Sequence, residues 1–283
     1  MKNIYYYIHT GQHFGLERFR RAVAIIRELD AEVTLLCSDY RIASDARRYG
    51  IKKAIGIDVL RNIPNVAKAG DILIYDSPEH NDAQLTEMID FFSIFIRISE
   101  ESNDKIMSGE YIISPYLKGE NICNAWPIAS SFFEERVKKH EKILFFGDDD
   151  FERYLPQKSA ELRALNLELL MGFYYFFDYE KELKNCFPAI HESEEYEDVI
   201  SSSKIVVTSS FQCALEVLAS GGKPILWQRD DYPKSLEGYL RVYGIPIVSR
   251  ISDIEKLLDQ EHNYKKIENE MPTIKEFIES KLK

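Results

Sequence analysis

The stretch of the chain best equipped for chemistry is Lys204-Ile-Val-Val-Thr-Ser-Ser-Phe-Gln-Cys-Ala-Leu-Glu-Val-Leu-Ala-Ser-Gly-Gly-Lys-Pro-Ile-Leu-Trp227. It reads as a strand, a polar turn, a helix, a Gly-Gly stop and a second strand. Thr208, Ser209 and Ser210 fall where the first strand hands over to the helix, so their hydroxyls and the free backbone N–H groups can both face a phosphate. Glu216, about two turns into that helix, could accept hydrogen bonds from ribose hydroxyls. The same turn is also the ordinary composition of a helix N-cap.

Three other groups of residues have usable chemistry. The first is the loop His9-Thr-Gly-Gln-His-Phe-Gly-Leu-Glu-Arg18, a strand end followed by a Gly-bearing turn and a helix start. An ordinary histidine titrates near pH ~6.5, so His13 or His9 suits general-base work. The second is Asp76, which leaves a strand at its carboxyl end, where parallel α/β sheets bind ligands. Ser77, Pro78, Glu79 and His80 extend that loop with a further acid and base, although Asp before Ser-Pro also initiates turns. The third is the acid run Asp148-Asp149-Asp150. Three such acids could hold a divalent cation, yet one acidic loop without a second cluster fits solvated turn residues or helix caps, and no metal is expected.

These residues need a scaffold that presents strand ends side by side. Runs of β-branched and aromatic residues alternate with helix-period segments throughout, which is the pattern of parallel sheets wrapped by helices. Strands are predicted at 4–9, 32–37, 53–57, 72–75 and 94–98, with a shorter one at 111–114 ending the sheet, and helices at 16–29, 43–49 and 83–91. From 118 to 140 the pattern weakens into Asn, Gly and Pro and then a charged helix over 132–139. A second run follows, with strands at 142–146, 169–175, 205–208, 224–227 and 245–248 and helices at 156–164, 194–201, 213–219 and 236–243. Helices at 253–259 and 267–281 close the chain. Residues 1–138 and 139–283 thus form two lobes, a size that suits 283 residues. The aromatic clusters at 5–7, 91–95 and 173–177 belong to the core.

Composition narrows the partners. A net charge of −11 argues against a general nucleic-acid binder, which needs a basic face. Positive charge gathers locally at Arg18, Arg20, Arg21 and Arg27 on one helix, where it could serve an anionic ligand. The four cysteines, Cys37, Cys123, Cys186 and Cys213, lack pairwise spacing and suit buried thiols in a reducing compartment. No cleavage-site pattern follows the first residues and no segment stays apolar for the ~18 residues of a membrane span, so a cytoplasmic protein without stable membrane insertion is expected. A dehydrogenase is disfavoured, because no strand is followed by GxGxxG with an acid ~20 residues on.

The turn around Ser209, Ser210, Glu216, Gly222 and Pro224 resembles the nucleotide-binding region of GT-B-type sugar-nucleotide enzymes. Phe145-Phe-Gly-Asp-Asp-Asp-Phe151 resembles the Gly-Gly-x-Asp turn that opens the second lobe in the UDP-sugar hydrolase of pseudaminic-acid biosynthesis and its spore-coat polysaccharide relatives, with Asp148 in place of the second Gly. Gln228, Ser235, Leu236 and Gly244-Ile245 resemble that family's segment after the next strand. The resemblance implies two Rossmann-like lobes with an interlobe cleft, and a UDP-sugar as ligand with no cofactor. It also implies hydrolysis of, or transfer from, a UDP-amino sugar to water or to a glycan or sugar acceptor. Gly147, Ser209, Ser210, Glu216 and Gln228 become substrate-binding candidates, as do Gly15 and Arg18. The family's Gly-x-Gly-His loop is lost, however, since Glu17 and Arg18 stand where Gly-His would be. An Arg that stays charged cannot take a proton from water, which leaves His13 and Asp76 as catalytic candidates. A non-catalytic nucleotide-sugar or partner-binding relative is the alternative.

Overall fold

The structure is a computed structural model that describes residues 2–11 and 13–282. It divides into two compact units. The first consists of Met1–Gly11, Arg18–Ala129 and Glu270–Lys283, and the second of Gln12–Glu17 and Ser130–Asn269. Each is built around one all-parallel sheet, so each is an α/β layer structure of the expected class.

The first sheet has seven strands: β1 (Ile4–Ile8), β2 (Val33–Cys37), β3 (Lys53–Gly56), β4 (Ile72–Asp76), β5 (Ile94–Ile98), β6 (Tyr111–Ile113) and β7 (Ile122–Cys123). Their spatial order is β3-β2-β1-β4-β5-β6-β7. The order reverses between β1 and β4, where the carboxyl ends place Ile8 beside Asp76. Central strands with helices on both faces must be apolar on both sides, and Tyr6, Tyr7, Ile8, Leu73, Ile74 and Tyr75 are accordingly all buried. The expected end of the sheet at 111–114 is corrected by β7, a two-residue edge strand too short to leave a periodic signal.

The second sheet has six strands: β8 (His140–Phe145), β9 (Glu168–Leu170), β10 (Ile190–His191), β11 (Ser203–Thr208), β12 (Lys223–Trp227) and β13 (Ile247–Val248). Their order is β10-β9-β8-β11-β12-β13. Leu144, Leu169, Val207, Ile225 and Trp227 meet Leu162, Leu183, Ile254 and Leu258 from the flanking helices in one core cluster. β9 stops at Leu170 rather than continuing to 175, and just beyond it, at Gly172, the chain runs so close to Gly147 and Asp148 that any side chain would strike their backbone.

Two further expectations are corrected. The charged segment 132–139 is a short 3-10 turn, Ser130–Phe133, followed by extended chain. There Lys139 N donates to Ser202 O at 2.7 Å, and Lys138 Nζ donates to the carbonyls of Ser201 and Ser220. The last helix, Met271–Leu282, belongs to the first unit rather than the second. It buries Met271, Ile274 and Ile278, residues spaced to share one face. It is tied down where Trp126 N donates to Glu270 Oε2 at 2.7 Å and where Lys275 pairs with Asp30.

All four cysteines are buried free thiols, and burial raises the Cys37 thiol to about 12 and the Cys123 thiol to about 11. No helix among the described residues is long and apolar enough to cross a membrane.

Candidate functional site

At the carboxyl edge of the second sheet, β8 and β11 finish level with one another, Thr208 opposite Phe145. The next residues divide their labour. Ser209 N donates to Phe145 O at 3.2 Å, which extends the ladder by one bond. Thr208 Oγ1 accepts from Ser210 N at 3.0 Å, and Ser210 Oγ accepts from Cys213 N at 3.1 Å, so Ser210 is the N-cap of the helix Phe211–Ala219. Ser209 is left over. It is 2% exposed, and its Oγ has no hydrogen-bond partner among the described residues. A buried hydroxyl without a partner costs about 1–3 kcal/mol, a cost that a ligand oxygen at this turn would remove.

Glu216 does not open onto this edge. It is 1% exposed; its Oε2 accepts from the Tyr196 hydroxyl at 2.6 Å and its Oε1 from Gln212 Nε2 at 3.0 Å. A ribose hydroxyl would reach it only by displacing the Tyr196 phenol. Both bonds make Glu216 an internal anchor for its helix.

The turn after β8 is built from the three acids, and none of them is solvated. Gly147 has φ +112, and a Cβ there would lie 2.5 Å from the Tyr232 hydroxyl, so only glycine fits. Asp148 Oδ2 accepts from Leu16 N at 2.7 Å, which fastens the 13–17 loop to this unit. Gly15 in that loop has φ +64, with its Cβ position 3.1 Å from the same carboxylate oxygen. Asp150 accepts from Tyr154 N, Leu155 N and the Tyr179 hydroxyl at 2.7, 2.9 and 2.5 Å, thereby capping the short helix Tyr154–Gln157. Burial and the Asp150 charge together push the Tyr179 phenol upward. Asp149 faces Arg229, whose guanidinium reaches Asp149 Oδ1 at 3.3 Å and Asp231 Oδ2 at 2.6 Å and also donates to the carbonyls of Phe146 and Asp149. That guanidinium lies over the rings of Phe146 and Tyr232, 4.4 and 4.2 Å from their centres. Burial opposes its charge, but Asp231, Tyr232 and Asp149 outweigh burial and raise its pKa.

These residues enclose a pocket of about 350 Å³, walled by Phe146, Tyr154, Trp227, Gln228, Arg229 and His13. Gln228 Nε2 donates to the carbonyls of Arg229 and Tyr232 at 2.7 and 3.1 Å. Its Oε1 is buried and unpartnered among the described residues. His13 is exposed, has φ +70 and sets its ring edge-on to Phe151 at 4.9 Å. Its ligand nitrogen and the carboxylate oxygens of Asp149 and Asp231 lie within 4.8 Å of one another. Since Arg229 already contacts both carboxylates, the negative charge a cation would need there is largely neutralised.

The first unit arranges its candidates differently. Asp76 is 2% exposed and takes two hydrogen bonds from Arg21, from Nε at 2.9 Å and from the terminal nitrogen at 2.7 Å. Arg21 also reaches Glu100 at 2.7 Å and lies 4.7 Å from the centre of the Trp126 ring. Asp76 is therefore one half of a buried ion pair. Arg18 approaches the same two acids, at 3.6 Å from Asp76 and 3.4 Å from Glu100, so the basic helix is largely engaged internally. Burial favours the neutral form of Glu100, yet Arg18 and Arg21 lower its pKa overall. Nearby, His9 Nδ1 lies 2.6 Å from Glu79 Oε2, and Tyr7 donates to the same carboxylate. Burial again works against the Glu79 charge, but His9 and Tyr7 bring its pKa down.

The second unit thus gathers Gly15, His13, Gly147, Ser209, Ser210 and Gln228. Asp76 and Arg18 belong to the first unit, and Glu216 turns inward. Arg229, Trp227, Tyr154 and Tyr232 were not singled out by sequence. Only the adjacency of Arg229 to Gln228 hints at them.

No protein-family model matches this chain, and no curated protein matches it. Among solved structures, a putative UDP-N-acetylglucosamine 2-epimerase from Listeria monocytogenes matches with a TM-score of 0.58 at 9% identity, over 100% of this chain and 97% of that one. The UDP-GlcNAc 2-epimerase of Methanocaldococcus jannaschii, in complex with UDP-GlcNAc and UDP, gives 0.57 at 11% identity over 99% of both chains. MurG of Acinetobacter baumannii gives 0.52 at 9% identity over 99% of this chain and 95% of that one. At such identities the likeness shows the fold alone, two α/β units each built on a parallel sheet.

Proposed function

We propose that this chain is a sugar-nucleotide enzyme that binds UDP in its second unit and hydrolyses, or transfers from, a UDP-amino sugar in bacterial surface-glycan or nonulosonic-acid metabolism. The observation that carries the reading is the pair of buried, unpartnered oxygens at one sheet edge, Ser209 Oγ and Gln228 Oε1. Ser209 suits a phosphate, next to the N-terminus of the nine-residue helix that Ser210 caps. Gln228 lines a pocket walled by Phe146, Tyr154 and Trp227, which suits a flat ring. Uracil offers such a ring an N–H to donate to Oε1, whereas the corresponding cytosine nitrogen is an acceptor. The GT-B-type fold of the structural neighbours adds a UDP-sugar context.

His13, which belongs to the same unit, is the base in this reading. It takes a proton from water, or from an acceptor hydroxyl, as the oxygen attacks the anomeric carbon and the bond to the UDP oxygen breaks. Asp149 and Asp231 place carboxylate oxygens within 4.8 Å of the imidazole.

The test is a calorimetric titration with UDP, with GDP, CMP and NAD as comparators. Selective UDP binding, weakened about five- to tenfold by Ser209→Ala as expected for one lost hydrogen bond, supports the reading. Absence of binding to any of the four overturns it.

One observation favours a second reading, a binding module without turnover. Arg21 pairs with Asp76, and Glu17 and Arg18 stand where the resembled family has Gly-His, so that family's imidazole is missing there. UDP-sugar binding that is indifferent to His13→Ala and releases no sugar would establish that alternative.

A further inference from the structure

We propose that His140, Glu168 and His191 form a divalent-cation site of the zinc type in the second unit, separate from the nucleotide pocket. The three come from neighbouring strands: His140 is the first residue of β8, Glu168 the first of β9 and His191 the last of β10. Two imidazole nitrogens converge on one carboxylate oxygen, His140 Nδ1 at 2.9 Å and His191 Nε2 at 2.7 Å from Glu168 Oε2. The three ligand atoms lie within 4.8 Å of one another, and the two rings meet edge to face at 4.8 Å.

Two imidazoles and a carboxylate form a donor set that suits Zn²⁺. Bonds of ~2.0–2.2 Å in a tetrahedral arrangement separate ligand atoms by about 3.4 Å. The cluster reaches that separation if the two imidazole–carboxylate contacts open by about 0.5 and 0.7 Å. His140, Glu168 and His191 are 17, 27 and 17% exposed, so an ion can enter and water can complete its coordination.

The position argues for a structural clasp. β10 has only two residues, Ile190 and His191, in register with Leu169 and Leu170 of β9. An ion bound here would tie that edge strand to β9 and β8. His140 is five residues before Phe145, about 16 Å of extended strand from the sheet edge that carries Gly147 and Ser209. The site does not depend on the nucleotide reading.

The experiment is calorimetry of the chelator-treated full chain with Zn²⁺ alone as titrant, together with the visible absorption of the Co²⁺-loaded protein. The expected result is saturable one-to-one binding, with a Co²⁺ spectrum of low coordination number. His191→Ala and Glu168→Gln should each weaken binding by more than about a hundredfold, beyond the ~10–100-fold that loss of a merely supporting partner usually costs. His13→Ala should leave binding unchanged. The wild-type Tm should rise with Zn²⁺, as mass action requires for an ion that binds only the folded chain. Absence of saturable binding by the wild type overturns the proposal. So does binding retained by both cluster variants, or binding lost in His13→Ala, which would put the ion beside Asp149 and Asp231. If a cluster variant does not fold, the wild-type Co²⁺ spectrum still decides, since an octahedral spectrum would exclude this three-ligand clasp.

Discussion

The Tyr196 hydroxyl donates to Glu216 Oε2 at 2.6 Å inside the second unit, while Gln212 donates to the other oxygen. A charge enclosed in this way is worth more to the fold than to a ligand. Glu216→Ala removes the shared acceptor of both bonds and should cost about 2 kcal/mol or more in urea denaturation. Tyr196→Phe removes one bond and should cost about 1 kcal/mol. Loss of UDP affinity in Glu216→Ala, with stability intact, would sink this assignment.

Gln228 should set base preference. Gln228→Ala removes the free acceptor and is expected to weaken UDP about tenfold while changing CMP affinity far less, so the ratio between the two collapses. Competition calorimetry measures it. An equal loss for both nucleotides would mean that the side chain only shapes the wall.

Asp76 and Arg21 make opposite predictions for a base and for an ion pair. Breaking a buried pair by removing one partner costs about 3–5 kcal/mol, so Asp76→Asn and Arg21→Ala should both lower the denaturation midpoint strongly. A general base would instead lose turnover with the midpoint unchanged.

His80 gives the protein a mild acid sensitivity. Its ring is half-buried beside Tyr75, with Nδ1 3.1 Å from Ser77 O. Burial and then Arg97 lower its pKa below the ordinary 6.5, against the raising effects of the Ser77 carbonyl, Asp104 and Glu110. The unfolded chain therefore binds the proton first on acidification. The stability His80 contributes is complete above pH 6.5 and falls away as the pH drops through the folded pKa. Urea midpoints compared between about pH 7 and pH 5.5 should decline less steeply in His80→Gln than in the wild type. Parallel profiles would refute it.

The central strands were legible because a strand covered by helices on both faces must be apolar throughout, and Tyr5–Ile8, Ile72–Tyr75 and Ile205–Thr208 are so written. β7 and β10 were not, since two residues have no period. The charged segment 132–139 mimics a helix in composition, but the carbonyls of Ser201, Ser202 and Ser220 take its donors from across the unit. At the site, Gly147 and Ser209 stood out as local turn chemistry. The burial of Glu216 was not foreseen. The signal for it was the run Cys213-Ala-Leu-Glu-Val-Leu-Ala219, apolar on every side of the acid, as in a fully buried helix. Arg229 was hidden because its partners, Phe146, Asp149 and Tyr232, come together only in the folded chain.

The helix Met271–Leu282 returns to the first unit after the whole of the second has been traversed. During translation, Trp126 and the strands β5 to β7 would leave the ribosome long before the segment that covers them. The second unit can mature while the first still waits for its final piece. In a cell, that interval is when the uncovered edge of the first unit would be most open to a chaperone, and a stalled ribosome would prolong it.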